Sequence, residues 1–364
     1  MTPLIVDAHS DLAWNMLNFG RDYTRSAGET RAIERGSSAV EKNGNTLIGW
    51  PEYQDGRVAI VFSTLFAAPV RRREGTWDTQ CYGSPGEAQR VYRAQLDAYH
   101  RLADSRPEYF RLLGTKRELQ AHVKAWQATT EVEHPVGLVV LMEGADGICS
   151  IDELAEWHEL GLRLIGLSWS GTRYAGGTRE PGPLTPDGRR LLVAMAELGF
   201  VLDLSHMDEQ AAWEALDLYD GPIVATHVNC LALLPDFPTN RHFSDRLLRA
   251  IVERDGIVGS VVFNNFLKSG WSRRGGSQRD EVSLDRVAAH IDHVCQLAGD
   301  ALHAGIGSDF DGGFGLESTP PEIDTVADLQ KLTPLLTNRG YNEVDVARVM
   351  GLNWLRCLQE NLPG

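Results

Sequence analysis

The sequence predicts a (β/α)8 barrel of the TIM type, built as one domain over residues 1–364, and three observations predict it. Eight short runs rich in Val, Ile and Leu recur along the chain, nearly continuous in apolar residues, as strands of a parallel sheet covered on both faces must be. Each run is followed by a longer stretch, several with the 3.6-residue period of an amphipathic helix. The runs that end in chemistry-bearing side chains carry them at the carboxyl end, where barrels of this kind build their sites.

Taken in order, the first strand is "LIVDAH" (4–9), followed by a long polar connection over 12–57 with Gly and Arg in excess. The second is "VAIVFSTLF" (58–66), and its connection, 67–135, is long enough for two helices, the first over 86–104. Next come "VGLVVLMEG" (136–144), "LRLIGLSW" (162–169), "FVLDLSH" (200–206) and "PIVATH" (222–227), with helices predicted over 187–198 and 208–219. "GIVGSVVFN" (256–264) and "HAGIGSDF" (303–310) complete the eight, with helices over 244–254 and 283–298 and a flexible loop over 269–281. The tail "NEVDVARVMGLNWLRCLQEN" reads as a closing amphipathic helix.

Composition narrows the partners. Lys and Arg total 35 against 50 Asp and Glu, a formal charge of -15, and such a chain repels a phosphate backbone. Nucleic acid is therefore excluded as a partner. No apolar run reaches the roughly 18 residues a membrane helix needs, and the first residues enter a strand without the pattern of a secretory signal. Five separated cysteines without a CxxC pair read as reduced thiols, so the expectation is a cytoplasmic protein with no membrane contact.

The side chains at the strand ends carry the chemistry. His9 and Asp11 end the first run, Glu143 the third, His206 the fifth, His227 the sixth, and Asp309 and Asp311 the eighth. A barrel brings all of them to one rim. Three imidazoles with carboxylates suit zinc or its neighbours. One catalytic zinc takes three protein ligands and a water; five or more candidates suffice for two ions about 3.5–4 Å apart. Two cations need a bridging anion. None of Lys42, Lys116, Lys124, Lys268 and Lys331 ends a strand, so a carboxylated lysine is excluded and Glu143 is left to bridge. His290 and His293, three apart on a helix, read as structural, and Asp7 and Asp311 as supports for the site.

With these residues in hand, the chain resembles the membrane dipeptidase family of zinc peptidases. The resemblance runs through "DAHSDL", "LMEG", "GPLTPDGRRLL", "DLSH", "ATH", "TNRHFSD", "HIDHVCQLAG", "GIGSDFDGG" and "GLNWLR" in that order. It implies a barrel with two zinc ions per chain that hydrolyses dipeptides, often with a D-residue on the C-terminal side. It also implies that His9 and Asp11 hold one ion, that His206 and His227 hold the other, and that Glu143 and a water or hydroxide bridge them. By the same resemblance Arg241 receives the substrate carboxylate, Asp309 handles protons, and a homodimer is compatible with the family. One departure stands out: Trp169 occupies the end of the fourth run, where the family pattern has a histidine. An indole donates one N–H and cannot carry a proton. Trp169, with Tyr174 from the same loop, is expected to line the substrate pocket. The altered pocket keeps a second enzyme reading open, a binuclear amidohydrolase acting on N-acyl amino acids or lactams. A third reading is a metal-stabilised barrel that binds a peptide without cleaving it.

Overall fold

The computed structural model describes residues 2–128 and 132–364. Eight parallel strands close on themselves: β1 (Ile5–Ser10), β2 (Val58–Phe66), β3 (Val136–Glu143), β4 (Leu162–Gly166), β5 (Val201–Asp203), β6 (Ile223–Ala225), β7 (Ile257–Ser260) and β8 (Ala304–Ile306). Each pairs with its successor, and β8 returns to β1 through Asp7 opposite Ile306. The longest ladder joins β2 to β3, from Ile60 opposite Gly137 to Phe66 opposite Glu143. The apolar runs are buried on both faces because helices cover the outside and side chains fill the inside.

Four of the predicted helices form almost where expected, as Pro186–Glu197, Glu209–Leu218, Asp245–Glu253 and Asp285–Ala298. Their starts are chemical: Thr185, Asp208 and Ser244 each cap the first turn through a side-chain oxygen. The connection after β2 holds two helices, Pro85–Ser105 and Lys116–Ala128. The connection after β1 differs from the expected polar loop. It folds into four short helices, Leu12–Phe19, Ala27–Ile33, Ser38–Lys42 and Trp50–Asp55, pinned by the buried Arg21, which binds Glu34, Asn15 and Asp311.

Several strands also stop earlier than the runs suggest. β5, β6 and β8 end two to four residues before His206, His227 and Phe310, because the backbone leaves extended geometry to aim side chains into the mouth. His206, Asp309 and Asp311 take positive φ values of 67, 62 and 61°. Asp309 and Asp311 therefore do not share a strand face. The tail forms Glu343–Ala347, a widened turn over Arg348–Leu352, and Asn353–Asn361. Trp354 ties the tail to the barrel, donating from Nε1 to the Ile306 carbonyl at 3.0 Å and packing on Phe62. Among the described residues no helix is long and apolar enough to cross a membrane.

Candidate metal centre and substrate mouth

Glu143, the last residue of β3, is the middle of the cluster. Its Oε1 lies 3.0 Å from His206 Nε2 and 3.2 Å from His227 Nε2, and those two nitrogens are 2.9 Å apart. Its Oε2 faces the other way, 3.7 Å from His9 Nε2. His9 Nε2 in turn lies 3.8 Å from Asp11 Oδ2 and 3.9 Å from Asp309 Oδ1. The sequence-predicted ligands thus fall into donor groups that share His9, Glu143 and His227: His9 with Asp11 and Glu143, Glu143 with His206 and His227, and His9 with His227 and Asp309.

Burial sets the charge state. Desolvation holds the imidazoles of His9, His206 and His227 well below their ordinary pKa, with Arg241 adding to the effect. The same desolvation raises Glu143 and Asp309 well above the carboxylate range, reinforced by Asp11 beside them. Asp11 is pushed up to about 6 by burial. Neutral imidazoles and crowded carboxylates are a poor set for one another but a good one for a cation. Both ring nitrogens of His9 are buried without a hydrogen-bond partner, which fits a divalent ion taking the lone pair.

Outer contacts fix these side chains. Thr226 Oγ1 meets His227 Nδ1 at 3.0 Å and donates to Asp203 Oδ2 at 2.5 Å. Thr178 Oγ1 meets His206 Nδ1 at 3.0 Å, and Thr64 donates to Asp11 Oδ1. Asp7 accepts from the Ser308 backbone and hydroxyl, tying β1 to the end of β8. Asp311 turns outward, where Tyr23 and Arg21 each reach it at 2.9 Å. Gly312 matters for the mouth: a Cβ there would sit 2.2 Å from Asp309 Oδ1 and 2.7 Å from Asp11 Oδ2. Of these partners, Asp203 and Thr226 sit inside the motifs "DLSH" and "ATH" that single out the histidines, so the signal was present. Thr178 lies on a hairpin (Ala175–Gly177 with Glu180–Leu184), for which Gly176-Gly177 was the available turn signal.

The substrate-side candidates divide. Arg241 is buried, with 1% exposure, and donates from Nη2 to the His227 carbonyl at 2.6 Å, while Nε and Nη1 have no partner. Trp169 is half-buried, with its ring 6.2 Å from that of His206 and 5.0 Å from Phe66, at the edge of the mouth. Tyr174 corrects the expectation. It is packed in the core and its hydroxyl donates to the Ile148 carbonyl at 2.5 Å, so it offers no group to the mouth. His290 and His293 are occupied by Cys230 N–H and Asp245 respectively, away from the cluster.

A family model described as Membrane dipeptidase (Peptidase family M19) matches residues 2–362. Among solved structures, the crystal structure of the dipeptidase AC, a metallopeptidase of family M19, is 27% identical with a TM-score of 0.77, covering 100% of both chains. A metallopeptidase from Rhodobacter sphaeroides, liganded with a phosphinate mimic of the dipeptide L-Ala-D-Ala, is 26% identical with a TM-score of 0.78 over 100% of both chains. The dipeptidase aclJ of Aspergillus oryzae is 26% identical over 85% of this chain and 69% of its own length. The chain belongs to the membrane dipeptidase family, peptidase family M19, and is a metal-dependent dipeptidase.

Proposed function

We propose that this barrel works as one unit with two zinc ions and hydrolyses dipeptides, including those with a D-residue on the C-terminal side. The observation that carries the binuclear reading is the division of Glu143, whose two oxygens face separate donor sets. His9 and Asp11 would hold one cation and His206 and His227 the other. When bound, such cations supply a water activated near neutral pH and a Lewis acid for the peptide carbonyl.

The chain's own residues do the rest. Thr226 and Thr178 orient the imidazoles of His227 and His206 and set which nitrogen is free. Asp309, which bound cations would keep ionised, takes a proton from the attacking water, holds it because burial favours the protonated form, and returns it to the leaving nitrogen. Arg241 binds the substrate's free carboxylate through its guanidinium, of which the protein engages only Nη2, at the His227 carbonyl. Trp169 walls the mouth beside His206 and can donate one N–H but no proton. The L-Ala-D-Ala mimic on the Rhodobacter sphaeroides relative supports the D-residue.

Calorimetric titration of metal-free protein with zinc, in two buffers of different ionisation enthalpy, tests this reading. Two ions per chain are expected in the wild type and about one in His206→Ala; equal stoichiometry in both sinks the assignment. The sign of the proton count follows from the shifts. The histidines, held below their usual range, are already neutral at pH 7 and give up nothing, whereas burial raises the proton affinity of Glu143 and Asp309, and any proton they carry leaves when a cation binds. Proton release is expected to grow as pH falls toward 6, where Asp11 also protonates. A second check uses Gly312→Ala. The added methyl displaces Asp309 and Asp11, and misplacement on this scale lowers kcat about 10²-fold, read by steady-state kinetics beside a thermal melt.

A further inference from the structure

Around Arg241 the mouth is lined by a strip of aromatic rings that neither metal binding nor proton transfer uses. The guanidinium carbon lies 5.2 Å from the centre of the Phe266 ring. Phe266 packs edge-on against Phe263 at 4.9 Å, His242 at 5.0 Å and Phe237 at 6.1 Å. Phe263 stacks on Phe314 at 4.2 Å with an interplanar angle of 11°. The strip thus runs from the loop after β6, through the loop after β7, to the turn that carries Asp309. Phe237, Phe263 and Phe266 are only partly buried. Single exposed apolar residues need no explanation, but a contiguous patch of them marks a binding surface. His242 contributes no charge, since burial holds its imidazole well below the ordinary value. The hairpin tip beside the Arg241 loop, by contrast, is polar, with Thr178 against His206 and the exposed Arg179 bonded to Asn240.

We infer that these rings form the subsite for the C-terminal residue of the dipeptide and that this residue carries an aromatic or large apolar side chain. The inference rests on the reading that Arg241 holds the free carboxylate. A carboxylate held by the Arg241 guanidinium lies beside the Phe266 ring, whose centre is 5.2 Å from the guanidinium carbon. The α-carbon is one bond beyond the carboxylate, which brings its side chain within reach of Phe266 and the rings packed on it, and aromatic rings pair favourably at roughly 4.5–7 Å. A charged side chain there would lose its hydration against five rings with no partner to replace it.

The test is kcat/KM on Ala-Phe and Ala-Ala, in both the L,L and L,D series, with Phe-Ala as the reversed control, using zinc-loaded enzyme. In the better-cleaved series, Ala-Phe is expected to exceed Ala-Ala by about 10-fold or more, chiefly through KM, the scale on which apolar pockets discriminate. Phe-Ala should show no comparable gain. In Phe263→Ala the ratio of Ala-Phe to Ala-Ala falls toward one, and Phe263→Leu keeps part of it. Dipeptide turnover with no preference for Ala-Phe, an equal gain for Phe-Ala, or a ratio untouched by Phe263→Ala overturns the inference alone. Absence of turnover on every dipeptide overturns the reading of the site, and the inference with it.

Discussion

Replacing Glu143 with glutamine lowers kcat/KM by roughly 10³-fold or more, since outer-contact substitutions alone cost about 10–100-fold around metal sites and Glu143 touches both donor sets. Glutamine keeps the volume and one carbonyl oxygen but loses the charge that would offset the two proposed dications, and it would present an amide N–H toward one of them. The substitution removes an uncomfortable group from the metal-free protein, because burial and the neighbouring Asp11 and Asp309 oppose ionisation of Glu143. The metal-free variant is therefore expected to unfold at the same temperature as wild type or higher, while zinc raises its midpoint less than it raises that of wild type. Paired kinetics and thermal melts with and without zinc read both effects. Wild-type turnover in Glu143→Gln, or an undiminished zinc-induced shift, rejects the bridging role.

Arg241→Met is the second large effect, a loss of about 10²-fold in kcat/KM on dipeptides, in line with losing charge-assisted hydrogen bonds made in a desolvated site. The side chain is fully enclosed, with two nitrogens that no protein atom accepts from, and burial pulls its pKa down despite the pull of Asp309 and Glu143. A methionine of similar bulk relieves that cost, so stability holds or rises as activity falls. Arg241→Lys does not rescue, because an ammonium cannot present the paired donors of a guanidinium. The decisive comparison is a dipeptide against its C-terminal amide. Wild type should favour the free acid and Arg241→Met should not; a wild type indifferent to the amide removes the carboxylate role.

The barrel and the convergence of its strand-end histidines and carboxylates were readable because both rest on short-range patterns. Apolar runs such as 58–66 and 136–144 become strands almost residue for residue, and a histidine or carboxylate at their ends has one rim to go to. What escaped depends on contacts distant in sequence. The helices after β1 owe their order to Arg21 reaching Asp311, 290 residues away. The left-handed turns at His206 and Asp309 shorten the strands because ligand aim overrides β propensity, and composition carries no trace of that. Tyr174 went wrong for a related reason: its neighbour Trp169 does reach the mouth, yet the hairpin between β4 and β5 reverses the chain and turns the phenol toward Ile148. Thr178 was invisible until that hairpin placed it against His206.

The seam between β1 and β8 has a consequence for biosynthesis. Asp7 and Ser308, which stitch it, are 301 residues apart; at about 5–20 residues per second of translation, their meeting waits roughly 15–60 s after Asp7 is made. His9 and Asp11 emerge early, Asp309 near the end, so a nascent or prematurely terminated chain holds an open sheet that lacks a complete cation cradle. On the proposed metal centre, cation capture would wait until synthesis has passed β8, and ribosome-stalled chains ending before Ala304 would retain less zinc than released ones.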